Sequence, residues 1–239
     1  MRLLRPLLGL FLVLPLAAQA LRLPSHRDIF LMKRVGAPAV SPDGHWAAFS
    51  VAEPSYDPKE SRSDLWLKDL TSDAPPRQLT FTKPGEGGLA WAPDSRRLAF
   101  TAKREGDEQS QVYVLDLAGG ETRRVTELPL GARGPKWRPD GTQLLVNSDV
   151  YPGAEDVAAI TKEQKARKDH KGTARTYDTF PVRRWDHWRD DRKPSLWTVD
   201  LATGAVTNLL AGTKALKDPG FNGSQGNDGG NLEALWTPD

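Results

Sequence analysis

Cysteine is absent from the 239 residues. That excludes a disulfide framework, a thiolate metal site, a cysteine nucleophile and a lipidated cysteine behind an export signal. Histidine is scarce, with four in the chain, and no two stand at a metal-ligand spacing. Net charge is nearly absent too: 33 Lys and Arg against 31 Asp and Glu leave a formal +2. With so little excess charge there is no electrostatic footprint for nucleic acid, and none is expected as a partner. Long apolar runs are confined to the start, MRLLRPLLGLFLVLPLAAQA, where two arginines precede an uncharged stretch that ends in Ala18-Gln19-Ala20. Such a segment is too short for a comfortable membrane span and reads as a cleavable export signal. Cleavage is expected after Ala20, which gives a periplasmic or secreted mature protein, residues 21–239, with no membrane attachment. Its 219 residues carry almost no net charge once Arg2 and Arg5 are gone, and suffice for one good core or two small ones.

What the chain does have is a repeat. Four Pro-Asp motifs recur, as Val40-Ser-Pro-Asp-Gly44, Trp91-Ala-Pro-Asp-Ser95, Trp137-Arg-Pro-Asp-Gly141 and Trp236-Thr-Pro-Asp239. An apolar alternation follows each of the first three. A second marker keeps step with the first: Leu65-Trp-Leu-Lys-Asp-Leu70, Val112-Tyr-Val-Leu-Asp-Leu117 and Leu196-Trp-Thr-Val-Asp-Leu201. A third closes each cycle, at Gln78-Leu-Thr80, Arg124-Val-Thr126 and Asn208-Leu-Leu210. In Ser-Pro-Asp-Gly the proline presets φ near −65°, aspartate suits the third turn position, and glycine supplies the fourth, which often needs φ > 0. The Val-x-Val-x-Asp-Leu segments alternate with period two, as half-buried strands do.

Four short antiparallel strands every 45 to 50 residues describe one blade of a β-propeller. The fold class expected is all-β, a partial propeller of about three blades plus the start of a fourth. The blades fall at about 36–80, 88–126 and 134–210, with the next beginning at 231–239. The repeated tryptophans read as packing between neighbouring blades. Blade three carries a long insertion, about 150–193, which is expected to be partly helical, and its last turn carries another in LKDPGFNGSQGNDGGN. Within the first insertion, Glu155 to Lys168 suits a short polar helix begun by acids and ended by bases. From Thr161 to Lys193 there are 11 Lys or Arg against 6 Asp or Glu, and the lysine-rich first half reads as a solvated arm. The second half, Phe180-Pro-Val-Arg-Arg-Trp-Asp-His-Trp188, is too rich in aromatics to stand in water. Either it folds onto the propeller rim or it lines a site for an anionic or aromatic group.

The repeat resembles that of the prolyl oligopeptidase family of serine peptidases. TYDTFPVRRWDHWRDDRKPSLWTVDLATG is similar to the dipeptidyl-peptidase and acylaminoacyl-peptidase branch, where Arg-x-Trp-Asp-x-Trp leads into a propeller strand. The resemblance covers the whole mature chain and implies a substrate-gating and docking propeller of an enzyme that cleaves short peptides. It also implies an α/β-hydrolase domain C-terminal to the propeller, with a Ser-Asp-His triad and a G-x-S-x-G elbow. This sequence has no such elbow. The nearest string, Asn222-Gly-Ser-Gln-Gly226, lacks the first glycine, and Ser224 reads as a turn residue. No catalytic residue, metal or cofactor is therefore expected in this chain, whose ending inside a Pro-Asp turn is that of a fragment of a longer peptidase. Arg183, Arg184, Trp185 and Trp188 are the candidate substrate-binding residues at the propeller mouth.

Two rivals are open. One is a non-enzymatic periplasmic scaffold of the Tol-system kind, which places an α/β domain before its propeller; here about twenty residues separate Ala20 from the first Ser-Pro-Asp-Gly. The other is a propeller hydrolase or lectin acting from its loops alone, which needs carboxylates or histidines to converge on the channel, and no such cluster is visible in the sequence.

Overall fold

The computed structural model describes residues 22–82, 85–172, 190–218, 220–221 and 231–237, together with the backbone of 183–184 and 187–188. A short helix, α1 (His26–Phe30), leads into the first sheet, and Ser25 and Asp28 close it with a reciprocal capping box. In that sheet β1 (Arg34–Val35) and β2 (Ala39–Val40) both pair with β3 (Trp46–Glu53), which pairs with β4 (Arg62–Asp69), and that in turn with β5 (Arg77–Gln78). The second sheet runs β6 (Glu86–Trp91), β7 (Arg97–Ala102), β8 (Gln111–Asp116), β9 (Arg123–Arg124). The third takes β10 (Arg133–Trp137), β11 (Gln143–Val150), then β14 (Lys193–Asp200) and β15 (Val206–Asn208). Between β11 and β14 stand helix α2 (Val157–Asp169) and a separate hairpin, β12 (Arg183–Arg184) with β13 (His187–Trp188). A last short helix, α3 (Lys214–Lys217), follows β15. Every described strand pairing is antiparallel, and along each blade the strands pair in chain order, with β1 and β2 sharing the edge of β3 in the first and the insertion set between β11 and β14 in the third, so the expected partial propeller of four-stranded blades is what the chain builds; the three blades do not close a ring.

The turn chemistry is that of the sequence. The fourth residue of each Pro-Asp turn donates its N–H back to the first, Gly44 to Ser41, Ser95 to Ala92 and Gly141 to Arg138, at 2.8 to 3.0 Å. All three sit at positive φ, between 58° and 75°. Ser95 is the one residue there with a Cβ to strain, and its Oγ accepts the Asp43 N–H of the preceding blade at 3.0 Å.

The period-two strands do more than half-burial requires. Blade two is packed on both faces. Leu98, Phe100 and Tyr113 meet Ala48, Leu65, Leu67 and Trp91 on the side of blade one. Ala99, Val112 and Val114 meet Trp137, Leu144 and Val146 on the side of blade three. A middle blade is sandwiched, so both alternating sets are apolar.

The repeated tryptophan fixes the spacing of these layers. The Trp91 indole N–H donates to the Ala39 carbonyl of blade one at 2.8 Å, and Trp137 donates to Ala90 of blade two at 2.9 Å. Trp236 does the same to Lys136 of blade three at 3.1 Å. Each acceptor is the residue just before the equivalent position in the preceding blade. In blade one that position is Val40, which is exposed and has no donor. Residues 231–237 form no strand, but the Leu232 N–H bonds the Asn147 side chain at 2.7 Å and Lys136 reaches the Ala234 carbonyl at 2.8 Å, so the segment lies along blade three.

A third repetition was invisible in the sequence because the residue types differ. Asp64, Gln111 and Ser195 all sit buried just before the Leu-Trp, Val-Tyr and Leu-Trp pairs of the third strands. Asp64 accepts the Thr82 N–H at 3.1 Å, Gln111 accepts the Leu128 N–H at 3.2 Å, and Ser195 donates to Asn208 Oδ1 at 2.6 Å. The threonines of the third marker join in: Thr80 Oγ1 accepts the Leu65 N–H and Thr126 Oγ1 the Val112 N–H, at 2.9 and 2.8 Å. These threonines carry the outer pairing past the end of the strand.

Two predictions follow from these joints. Trp137→Phe keeps most of the buried ring but deletes the bond to Ala90, whose carbonyl keeps its place in the β6–β7 ladder. It should lower the unfolding free energy by about 1 kcal/mol in urea titration, and a loss no larger than that of a surface substitution would refute the clamp. The second concerns pH. Asp43, Asp69, Asp94, Asp116, Asp140 and Asp200 each accept the N–H two residues ahead, at 2.8 to 3.1 Å. Each carboxyl is held below its ordinary range, chiefly by hydrogen bonds that favour the charged form; in Asp94 the partial burial that works the other way is outweighed. Depressed folded-state values mean stability that is complete above the unfolded carboxylate range, near pH 4, and lost as pH falls through the lower folded values. The urea midpoint should therefore drop steeply below about pH 4, and Asp140→Asn should make that drop shallower.

Candidate functional site on the insertion face

Each blade has two ends. One carries the Pro-Asp turns and the turns after the third strands, where the six aspartates are consumed as backbone acceptors. The other carries the connections between second and third strands and the starts of the first strands. The large insertion leaves blade three at this second end, the insertion face.

Helix α2 starts there because Asp156 caps it, accepting the Ala159 N–H at 2.7 Å, and Arg167 and Lys168 end it favourably for the helix dipole. The sequence expectation of a helix over Glu155 to Lys168 holds; that of a solvated arm does not. Ile160 is buried in the core shared by blades two and three. Gln164 bonds the Pro129 carbonyl at 3.2 Å, Lys168 pairs with Glu108 at 2.8 Å, and Asn208 of the outermost strand bonds the Glu155 carbonyl at 2.8 Å. Ile160, with Val157 and Ala159 packed against the same core, docks a largely polar helix whose flanking polar groups find partners. Between α2 and the outer edge of blade two runs a groove of about 970 Å³, with Thr161, Gln164 and Lys168 on one wall and Gln109, Thr126 and Glu127 on the other.

Buried charge collects on the same face. The Glu86 side chain is fully buried where blades one and two meet, bonded by the hydroxyls of Thr80 and Thr82 and by Arg104 at 3.1 Å. Arg104 in turn lies over the rings of Tyr113 and Phe100, 4.6 and 5.6 Å from their centroids. Asp107 accepts from Tyr113, the Arg104 N–H and Arg124 at 2.6 to 2.9 Å. Burial pushes the Asp107 carboxyl up, and these bonds more than reverse it, leaving it below the ordinary range. Tyr113 is pushed up to about 12, by burial first and Asp107 second. Asp149, in the apolar strand β11, faces Arg133 at 2.8 Å. Burial dominates there and raises its carboxyl despite Arg133. At the foot of the insertion Arg167 binds Asp191 through two bonds of 2.6 and 2.8 Å, reaches Glu163 at 2.7 Å, and lies 4.0 Å above the Tyr151 ring.

The four residues expected to bind substrate are placed only in part. Arg183 and Arg184 form β12, facing Trp188 and His187 of β13 across a two-residue ladder. That puts them on the insertion between α2 and β14, but their side chains, and Trp185 altogether, lie outside the described residues. The charge pairs that the fold does form on this face, Glu86 with Arg104, Asp107 with Arg124, Asp149 with Arg133 and Arg167 with Asp191, were missed. The available signals were an aspartate next to the last residue of the strand segment Gln143–Val150 and a glutamate opening a first strand. Of the histidines, His26 stacks on Phe30 and Tyr56, His45 follows a turn glycine, His170 ends α2 and His187 sits in the hairpin. Among the described residues no group of three or more His, Asp or Glu is placed to hold a metal ion.

Residues 30–155 match the family model of the TolB β-propeller domain PD40, more than half of the chain. The chain belongs to this family. The match takes in blades one and two and the first two strands of blade three, and ends at residue 155, one residue before the Asp156 cap of α2. Among curated proteins, the PD40 chain is 28% identical over 202 residues to an uncharacterized peptidase of Bacillus subtilis, YuxL, over 82% of this chain and 29% of that protein. It is 27% identical over 190 residues to dipeptidyl-peptidase 5 of Porphyromonas endodontalis, over 77% of this chain and 26% of that one. The chain thus spans less than a third of the length of these relatives. Among solved structures, an acylaminoacyl peptidase in complex with Z-Gly-Gly-Phe-chloromethyl ketone superposes with TM-score 0.56 at 15% identity, over 74% of this chain and 25% of the other. The Pyrococcus horikoshii acylaminoacyl peptidase gives 0.54, also at 15% identity, over 74% and 25%. The structural likeness shows the fold, and the similar proteins are peptidases that share the propeller with this chain.

Removing the buried carboxylate tests how far this face depends on its charge pairs. Glu86→Ala leaves Arg104 facing an empty, desolvated pocket and should cost about 3 kcal/mol in urea unfolding. Glu86→Gln keeps the contacts with the two threonines and should cost clearly less, and equal losses would show that charge is not what matters there.

Proposed function

We propose that this chain is the substrate-docking propeller portion of an exported serine peptidase of the prolyl oligopeptidase type, acting on short peptides. The observation that carries the reading is a chain with a PD40 propeller segment whose peptidase relatives match it over about four-fifths of its own length but under a third of theirs. The chemistry then lies elsewhere on the polypeptide, in an α/β-hydrolase domain with a Ser-Asp-His triad, and the propeller binds and admits substrate. The insertion face is where it does so: it holds the docked helix, the groove and the hairpin bearing Arg183, Arg184 and Trp188. Cationic and aromatic side chains of this kind suit the carboxylates and rings of peptides. The reading includes cleavage of the leader after Ala20 and release into the periplasm or the medium, and it calls for no cofactor.

The experiment is to treat the producing cells with a fluorophosphonate probe and identify the polypeptide that contains these tryptic peptides. The expected result is one probe-labelled polypeptide, longer than 239 residues, whose N-terminus begins at Leu21. A polypeptide that contains these peptides but stays unlabelled would overturn the peptidase reading in favour of a non-enzymatic binding scaffold, and a retained leader would overturn the export.

A further inference from the structure

The insertion leaves blade three through α2 and returns through β14. The geometry points to Arg167 as the positioning residue that closes this excursion at its root. It sits in the last turn of α2, and its guanidinium grips Asp191, two residues before β14, with two parallel bonds of 2.6 and 2.8 Å. Two-pronged pairing of this kind fixes direction as well as distance, which a lysine cannot do. The third bonded nitrogen goes to Glu163 one turn back on the helix at 2.7 Å, and the plane of the group rests on the Tyr151 ring at 4.0 Å. The arginine is thus held on its own helix and on the end of β11 while it holds the far strand. Neighbouring contacts brace both sides. Lys168 ties the helix to Glu108, and Lys193 at the start of β14 bonds the carbonyls of Leu216 and Asp218 at 2.6 and 2.7 Å. The two chain ends that frame the β12–β13 hairpin are therefore locked to each other and to the blade by this one clasp.

This inference deepens the docking reading and takes from it only the purpose of the hairpin. The clasp itself is tested on the full chain, without any peptidase activity, by hydrogen exchange with mass spectrometry. Arg167→Gln and Asp191→Asn should each speed exchange of the hairpin amides by about fivefold, the rate equivalent of about 1 kcal/mol for a half-exposed charge pair. Strands β7 and β8 should stay unchanged, and the double variant should be no faster than either single one. Glu163→Gln, which spares the bonds to Asp191, should leave the hairpin as it was. Because the chain has no native cysteine, Arg167→Cys with Asp191→Cys can be joined by a short bismaleimide, and the cross-link should restore the slow exchange that the unlinked double variant has lost. Unchanged exchange in both single variants, additive effects in the double variant, equal acceleration in β7 and β8, or no rescue on cross-linking would each overturn the proposal. If the clasp behaves as expected while the fluorophosphonate experiment fails, the docking reading falls and the clasp stands.

Discussion

The hydrogen bond from each blade's tryptophan to the blade before it is the constraint on which the other features depend. A propeller blade alone is a four-stranded sheet with two apolar faces, and nothing in such a sheet says how far round the next one should sit. Apolar contact is non-directional, so Leu65, Phe100 and Tyr113 would tolerate a range of offsets. An indole N–H that must reach one particular carbonyl, Ala39 for Trp91 and Ala90 for Trp137, removes that freedom. Because the acceptor always stands one residue before the equivalent position, each joint reproduces the last. Arg97 over the Trp137 ring, 4.8 Å from its centroid and bonded to the Gly141 carbonyl at 3.1 Å, closes the same joint from the turn side.

Once the joints are fixed, so is the division of labour between the two ends of the blades. On the insertion face the first strands of blades two and three begin with bulges at Gly88 and Gly134, both at positive φ, where the ladder shifts register. Those bulges splay the strand starts and make room for buried charge: Glu86 reaches back across the joint to Thr80 and Thr82 of blade one, and Arg133 pairs with Asp149 inside blade three. A desolvated carboxylate is tolerable only with partners of this quality. The burial that raises Asp149 and the bonds that lower Asp107 are two outcomes of that one competition, decided by how many donors each meets.

The blades were legible in the sequence because their determinants are local and repeat. The Pro-Asp turn, the alternating strand that ends in Asp-Leu and the short closing strand each act within a few residues, and three copies in step fixed strand order and turn positions. The tryptophans were legible as interblade packing, but not the acceptor each would find, since a carbonyl leaves no mark on sequence. The polar joint of Asp64, Gln111 and Ser195 escaped notice for the opposite reason, since three chemically different residues perform one task. The insertion was read half correctly. Its helix followed from caps and charge, whereas its docking turned on Ile160 and its neighbours Val157 and Ala159, whose weight depends on a pocket that exists only after blades two and three have met. The candidate site was least legible of all. Arg167 and Asp191 are 24 positions apart with the whole hairpin between them, and no local pattern ties them together.

This asymmetry bears on where a ligand can be bound. On the turn face every repeat aspartate already accepts a backbone N–H, and four of the six also bond a hydroxyl: Ser41 on Asp43, Thr71 on Asp69, Thr142 on Asp140 and Thr203 on Asp200. A ligand arriving there would have to displace bonds that define the turns, so binding would compete with folding. On the insertion face the segments that build the groove and carry the hairpin are additions to the repeat. They are anchored by contacts that the blades do not need for their own register, such as Gln164 to Pro129 and Lys168 to Glu108. Side chains there can change without disturbing a strand pairing or an indole clamp. A scaffold whose one end is consumed by its own turns leaves recognition to the other, and it is at that other end that this chain departs from the simple repeat.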